Sequence, residues 1–144
     1  MRRRSKTVTT KEQEARDRFV SRYKEERVDV VQEIERRVIG GDWGANGYTT
    51  IAQADGLADR LGLRVGDLLL DVGAGRGWPG LYLAATTGCS VVLADVPLEG
   101  LSVAAARVRT DYLEERAWCV NASATDLPFR IASFDAVVHT DVLC

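Results

Sequence analysis

The residues best suited to chemistry lie in one glycine-rich segment, Asp71-Val-Gly-Ala-Gly-Arg-Gly-Trp-Pro-Gly80. It joins a short apolar run, Leu68–Leu70 with Val72, to a helical pattern that accepts Pro79 in its first turn. Glycines at such a junction let the backbone turn sharply and approach a ligand closely. A buried strand, a glycine turn and a helix in succession are typical of the crevice where α/β proteins bind nucleotides. The segment therefore predicts a ligand-binding loop.

Two classes of ligand fit this loop. Gly75-Arg-Gly-Trp-Pro-Gly80 matches the GxGxxG pattern of dinucleotide-binding proteins, and Asp95 follows Gly75 by 20 residues, where an acid would bind ribose hydroxyls. An NAD(P)-binding oxidoreductase is therefore one interpretation. Asp71 counts against it, because a carboxylate beside the loop would repel a pyrophosphate in a partly desolvated crevice. The same carboxylate would suit a ligand that carries ammonium and sulfonium groups.

S-adenosylmethionine is such a ligand, and the sequence resembles the class I S-adenosylmethionine-dependent methyltransferases. Four segments carry the resemblance in order along residues 47–144. They are Gly47-Tyr-Thr49 before a helix, Asp71-Val-Gly-Ala-Gly-Arg-Gly77, Ala124-Thr-Asp-Leu-Pro-Phe129 and Phe134-Asp-Ala-Val-Val-His-Thr140, with Asp95 at the end of the second strand. The resemblance implies a Rossmann-like α/β three-layer sandwich, with S-adenosylmethionine as cofactor and a small-molecule methyl acceptor.

The resemblance also implies which residues bind the cofactor. Asp95 would hold the ribose, Asp126 would accept a hydrogen bond from the adenine amino group, and Leu127 would lie against the ring. Tyr48 would close over the methionine part, and the end of the fourth strand, with His139, would line the methionine and the acceptor. The complete predicted set is Tyr48, Asp71, Gly73, Ala74, Gly75, Gly77, Asp95, Val96, Thr125, Asp126, Leu127 and His139.

Other roles for these side chains stay open. Asp95 and Asp126 could be turn residues, because Asp favours turns and caps, and Asp71 could instead face a helix dipole. In the family the electrophile is carried by the cofactor, so a base is needed only where the acceptor must lose a proton. His139, the single histidine, is the one candidate base, and a histidine that only packs or contacts backbone is the alternative.

The surrounding pattern alternates strands with helices, which predicts a parallel sheet with right-handed crossovers. Further strands are predicted at Ser90–Ala94, Ala117–Ala122 and Phe134–Thr140, and a helix at Leu98–Glu115. Thr50 and Gln53 predict a capping box at the start of another helix, which Gly62 would end. Residues 11–39 predict one long charged helix with Phe19, Tyr23, Val30, Ile34 and Val38 as a docking stripe. We therefore divide the chain into an N-terminal basic, helical extension over 1–46 and a cofactor-binding domain over 47–144.

Composition narrows the class of protein. The chain has 144 residues, 46% of them hydrophobic, and a net charge of −2, which argues against a wholly basic nucleic-acid-binding module. Residues 1–40 carry 12 basic and 8 acidic side chains (+4), and residues 41–144 carry 7 and 13 (−6). Three cysteines without a CxxC pattern or a second histidine predict reduced thiols in a cytoplasmic protein and no metal site. No apolar run is long enough to span a membrane.

The family's domain has seven strands, and this chain supplies the pattern of four. The resemblance therefore implies a C-terminally truncated domain whose fourth strand forms an edge, and an exposed apolar edge favours pairing with another chain. A homodimer or a second chain could complete the sheet. A non-catalytic S-adenosylmethionine-binding remnant is a further alternative, and the isolated chain's activity is open.

Overall fold

A computed structural model of the chain describes residues 10–24, 29–45 and 47–141. Its centre is a parallel sheet of four strands in the order β3-β2-β1-β4. The strands are β1 (Leu68–Val72), β2 (Ser90–Asp95), β3 (Ala117–Asn121) and β4 (Ala136–Val138). The helices are α1 (Thr10–Lys24), α2 (Asp29–Val38), α3 (Ile51–Leu61), α4 (Gly80–Thr87) and α5 (Leu98–Thr110). The predicted Rossmann-like α/β fold, with β1 and β2 central, is confirmed.

Helices and loops cover the two faces of the central strands β1 and β2, and the side chains of both strands are apolar apart from a few polar residues. Leu69, Val91 and Leu93 are fully buried, and they share one core with side chains of α3, α4 and α5. A smaller core on the opposite face contains Leu70 and Val92. Strands buried on both faces read as continuous apolar runs, which is why these two could be recognised in the sequence.

The predicted start and end of α3 are present, and α4 ends in the same way as α3. The side chain of Thr50 accepts a hydrogen bond from the N–H of Gln53, and the side chain of Gln53 accepts one from the N–H of Thr50, so the capping box at α3 is complete. Gly62 and Gly88 end α3 and α4 in the left-handed conformation, with φ of 62° and 76°. Glycine adopts this conformation without a steric penalty.

The N-terminal helical prediction needs correction. In place of one helix over 11–39 the structure describes α1 and α2, and residues 25–28 lie outside the described residues. Of the predicted docking stripe only Tyr23 is buried, whereas the other four side chains are exposed. On α2 the buried side chains are Glu35 and, just beyond its end, Ile39. The Glu35 carboxylate accepts the N–H groups of Trp43 and Ala45 at 2.7 and 3.1 Å, and this contact turns Val30, Ile34 and Val38 outward.

Two predicted elements are shorter than expected. Helix α5 ends at Thr110, before the predicted Glu115, because Tyr112 takes a positive φ of 57° and the N–H of Leu113 returns to the carbonyl of Val108. Strand β4 is Ala136–Val138 and begins after Phe134. The ring of Phe134 packs edge-on against Phe129, at 4.9 Å between centroids, and lies over the second face of the sheet.

The two faces of the sheet are covered differently. In the described ranges, the core on the second face contains only strand and loop residues, which are Leu68, Leu70, Val72, Val92, Ala94, Val120, Leu127, Phe129 and Phe134. Strand β4 pairs only with β1 within the same ranges, and its Val137 is 54% exposed. Among the described helices, none has the length and the apolar character needed to cross a bilayer.

We expect Leu93→Ala to lower the free energy of unfolding by about 2–5 kcal/mol, because it leaves a cavity between β2 and α4. Leu98→Ala is the matched control, since Leu98 is 56% exposed at the start of α5, and its effect should stay within about 0.5 kcal/mol. Urea titration followed by circular dichroism measures both. Equal losses for the two variants would contradict the assignment of Leu93 to the core.

Candidate functional site

The glycine loop follows β1 and lies at the carboxyl end of the sheet. Gly73, Gly75 and Gly77 have φ of 77°, 54° and 97°, which other residues adopt only with strain. The N–H groups of Gly73 and Ala74 donate to the carbonyl of Ala94 in β2, at 2.8 and 3.3 Å. The turn is therefore attached to the neighbouring strand.

Asp95, the last residue of β2, holds the same turn through its side chain. One carboxylate oxygen accepts the N–H of Gly75 and the other accepts the N–H of Val96, both at 2.7 Å. Partial burial raises the pKa of Asp95, while these two hydrogen bonds oppose the rise. A carboxylate oxygen has two lone pairs, so each oxygen can accept one further hydrogen bond from a ligand. Asp95 thus combines a fixed orientation with remaining acceptor capacity.

Asn121 is part of this arrangement and was not predicted. It ends β3, and its side-chain amide donates to the carbonyls of Asp95 and Val96 at 3.1 and 2.7 Å. It thereby joins the ends of β2 and β3. Its position at the carboxyl end of a parallel strand is the signal that could have identified it, because ligand crevices of open α/β sheets lie there.

Asp71 lies beneath the loop. Its side chain is fully buried, and one carboxylate oxygen accepts the N–H of Gly80 at the start of α4, at 2.9 Å. A Cβ on Gly80 would lie 2.6 Å from that oxygen, so the close approach requires glycine. Burial raises the pKa of Asp71 to about 8; the Gly80 hydrogen bond lowers it, and the charge of Asp95 adds to the rise. The observed contact is with a helix N-terminus, and an interaction of Asp71 with a cationic ligand stays a prediction.

Tyr48 belongs to a loop that crosses the same edge of the sheet. Its side chain is 83% exposed, and its backbone is held by Asp141, which follows β4. One oxygen of Asp141 accepts the N–H groups of Tyr48 and Thr49 and the hydroxyl of Thr49, at 3.1, 3.2 and 2.9 Å. The indole N–H of Trp78 donates to the carbonyl of Thr49 at 3.0 Å. Asp141 was not predicted, although an acid within a few residues of a strand end is a recognisable signal.

The remaining predicted residues lie after β3 and β4. Thr125 and Asp126 are exposed in a turn where the N–H of Asp126 donates to the carbonyl of Ser123 at 2.9 Å. Leu127 is partly buried and packs against the second core. His139 is exposed immediately after β4. The structure therefore brings Gly75 and Val96 onto the carboxylate of Asp95 and ties Gly73 and Ala74 to Ala94, the residue before it. Thr125, Asp126, Leu127 and His139 follow the carboxyl ends of β3 and β4, at the same end of the sheet.

Residues 70–144, just over half of the chain, match the family model described as a methyltransferase domain. The chain belongs to this methyltransferase family. The predicted membership of the S-adenosylmethionine-dependent methyltransferases is thus confirmed, and the family uses S-adenosylmethionine as its methyl donor. The alternative of a dinucleotide-binding oxidoreductase is not favoured by the match.

Two relatives and one solved structure are similar to this chain. Methyltransferase GfsG of Streptomyces halstedii is 42% identical over 81 residues, which are 56% of this chain and 29% of the relative. The 27-O-demethylrifamycin SV methyltransferase of Amycolatopsis mediterranei (strain S699) is 33% identical over 108 residues, 66% of this chain and 40% of the relative. The chain therefore spans well under half the length of either relative.

The solved structure is a methyltransferase from Thiobacillus denitrificans in complex with S-adenosylhomocysteine. It shares 15% identity with a TM-score of 0.60, over 81% of this chain and 45% of that one. At this identity the likeness concerns the fold alone. It agrees with the sheet order β3-β2-β1-β4, in which the glycine turn of the methyltransferase domain follows the central strand β1.

The buried carboxyl of Asp71 predicts a pH-dependent stability. The pKa of Asp71 is about 8 in the folded protein, against an ordinary value of 3.8. Below about pH 4 the carboxyl is neutral in both the folded and the unfolded chain, so its contribution to stability is fully present. It is lost as the pH rises towards 8, because only the unfolded chain ionises in that interval. The free energy of unfolding should fall by several kcal/mol, since the limiting slope is about 1.4 kcal/mol per pH unit. The raised pKa of Asp95 acts in the same direction.

Asp71→Asn tests this expectation, because the amide oxygen can still accept the N–H of Gly80 and cannot ionise. Its free energy of unfolding should change much less between pH 5 and pH 8 than that of the wild type. Asp59→Asn, at an exposed position of α3, should retain the wild-type pH dependence. Urea titrations at four pH values measure the free energy of unfolding of each protein. An equal pH dependence in the wild type and Asp71→Asn would contradict the raised pKa of Asp71.

Proposed function

We propose that the protein is an S-adenosylmethionine-dependent methyltransferase that transfers the methyl group to a hydroxyl oxygen of a small-molecule acceptor. The observation that carries the proposal is the carboxylate of Asp95, oriented by the N–H of Gly75 at 2.7 Å beside a turn of positive-φ glycines. A fixed acceptor pair at a strand end, next to exposed backbone, suits the hydroxyls of a ribose. Membership of the methyltransferase family supports the same cofactor.

Different residues of the described chain would bind different parts of the cofactor. Asp95 would accept hydrogen bonds from the two ribose hydroxyls. The turn at Gly73–Gly77 would let the backbone approach the part of the cofactor that adjoins the ribose. Val96, Thr125, Asp126 and Leu127 would surround the adenine, with Leu127 in a partly buried position that offers an apolar surface. Tyr48 and His139, at the opposite side of the loop, would face the methionine part and the acceptor. When bound, the cofactor supplies an electrophilic methyl group on sulfur.

Oxygen is proposed as the acceptor atom because one relative is named for an O-demethylated substrate, 27-O-demethylrifamycin SV. A hydroxyl must lose its proton as it attacks the methyl group. Exposed His139, directly after β4, is the candidate to receive that proton, since a neutral imidazole has one ring nitrogen that can accept it. The protein's main contribution would be to align the two reactants, which can be worth roughly 7–11 kcal/mol.

Two features bear on how the whole protein works. Among the described residues β4 pairs only with β1, and its other edge is suited to pairing with a further strand. We therefore propose that a second copy of the protein or a second chain pairs with this edge. The free thiols of Cys89 and Cys119 support the proposal that the protein works in the reducing cytoplasm.

A non-catalytic binding protein is the alternative function. Such a protein would keep the Asp95 site and would not transfer a methyl group to any acceptor.

Calorimetric titration with S-adenosylhomocysteine and, in parallel, NADH tests the cofactor assignment. The wild type should bind S-adenosylhomocysteine and not NADH. Asp95→Ala should weaken that binding by tenfold or more, because hydrogen bonds to charged groups contribute about 1.5–3 kcal/mol each. The control Asp111→Ala removes an exposed carboxylate at the end of α5 and should bind as the wild type does. Binding of NADH alone would overturn the proposal, and full affinity in Asp95→Ala would overturn the ribose assignment.

A further inference from the structure

One residue of the glycine turn carries a buried charged side chain. Arg76 stands between Gly75 and Gly77 and is 6% exposed. Its guanidinium extends to the end of α1, where one nitrogen donates to the carbonyls of Arg22 and Tyr23 at 3.1 and 3.3 Å. The same group lies 5.4 Å from the centre of the Tyr23 ring. The glycine turn thus holds the N-terminal helix, which is more than 50 residues away in sequence.

The carbonyls at the end of α1 are suitable acceptors for the buried guanidinium of Arg76. The last carbonyls of a helix lack partners within the helix, and a cation near them is favoured by the helix dipole. A buried guanidinium requires such acceptors, because an unpaired buried charge is costly. Helix α1 also forms an ion pair with α5, from Lys24 to Glu99 at 3.7 Å, but the side chain of Lys24 is 66% exposed, and such a pair contributes little. Among the described residues, Arg76 therefore provides a buried polar attachment of α1 to the glycine turn.

Tyr23 fills the space that the glycines leave. A Cβ on Gly75 would lie 2.6 Å from the Tyr23 hydroxyl, and one on Gly100 would lie 3.0 Å from the Tyr23 ring and 3.0 Å from the carbonyl of Gly75. The side chain of Tyr23 is buried in this position. Helix α1 consequently packs, through Tyr23, against one side of the Gly75 turn, which we call its outer side. The N–H of Gly75 donates to Asp95.

We propose that Arg76 and Tyr23 are positioning residues that couple the docking of α1 to the affinity for the cofactor. The inference rests on the proposed function, because Asp95 is the residue through which the coupling reaches the cofactor. With α1 docked, the Gly75 turn is supported from outside and presents its N–H to Asp95. Without α1, the same turn of three positive-φ glycines loses that support, and the orientation of Asp95 is less restricted.

Coupling between two sites is reciprocal. If docked α1 strengthens binding of S-adenosylhomocysteine, then S-adenosylhomocysteine must stabilise docked α1 by the same factor. Hydrogen exchange of the amides in residues 10–24 measures the second quantity, and calorimetry measures the first. A role confined to overall stability would change neither the affinity of the folded protein nor the response of α1 to the ligand.

The experiment compares the wild type with Arg76→Met, which keeps an unbranched, apolar stem at the position and removes the guanidinium. Tyr23→Leu is the second variant; it leaves the glycine loop unchanged, so a loss of affinity must pass through α1. We expect S-adenosylhomocysteine to slow exchange in residues 10–24 of the wild type by about fivefold or more. Both variants should bind about tenfold more weakly, within the usual range of coupling factors, and the slowing should be largely lost.

Arg18→Met is the matched control, because Arg18 is an exposed arginine on the same helix, and it should behave as the wild type. Wild-type affinity in both Arg76→Met and Tyr23→Leu would overturn the inference, as would a wild-type α1 whose exchange does not respond to S-adenosylhomocysteine. If Arg76→Met fails to fold, Tyr23→Leu decides alone. A wild type that gives no binding heat with S-adenosylhomocysteine would overturn the proposed function itself, which is a distinguishable result.

Discussion

The hydrogen bond from the N–H of Gly75 to the carboxylate of Asp95 joins the two central strands at the point where a ligand would lie. A turn of positive-φ glycines is flexible by itself, because glycine loses more conformational freedom on folding than any other residue. The Asp95 contact, together with the N–H of Gly73 on the carbonyl of Ala94, gives the turn one conformation. In return, the turn orients a carboxylate that would otherwise rotate freely at a strand end.

The surroundings of this contact support it from three sides. Asp71, below the loop, accepts the N–H that begins α4, and Asn121 ties the end of β2 to β3. Arg76 and Tyr23 attach α1 to the outer side of the turn. Each attachment comes from a different element, so the geometry at Asp95 depends on the sheet, on a helix start and on the N-terminal helix together. This dependence is the basis of the proposed coupling between α1 and cofactor binding.

Much of the fold could be predicted from the sequence, because local rules applied without conflict. The runs around Leu69 and Val92 are apolar enough to require burial on both faces, and the capping box of Thr50 and Gln53 marks a helix start that the structure retains. The exposed face of α2 could not be predicted, since periodicity alone favoured a buried Val30, Ile34 and Val38. A buried Glu35, whose carboxylate accepts two loop N–H groups, set the rotation of that helix.

The sequence by itself determined the order of strands and helices, the glycine turn after β1 and the family to which the chain belongs, because these depend on residue types at short spacing. The tertiary structure alone decided which side chains complete the site. Arg76, Asn121 and Asp141 each form hydrogen bonds with residues more than 20 positions away, which no local pattern specifies. Their roles arise because a parallel sheet brings the carboxyl ends of separate strands to one edge, where polar side chains meet backbone groups that lack partners.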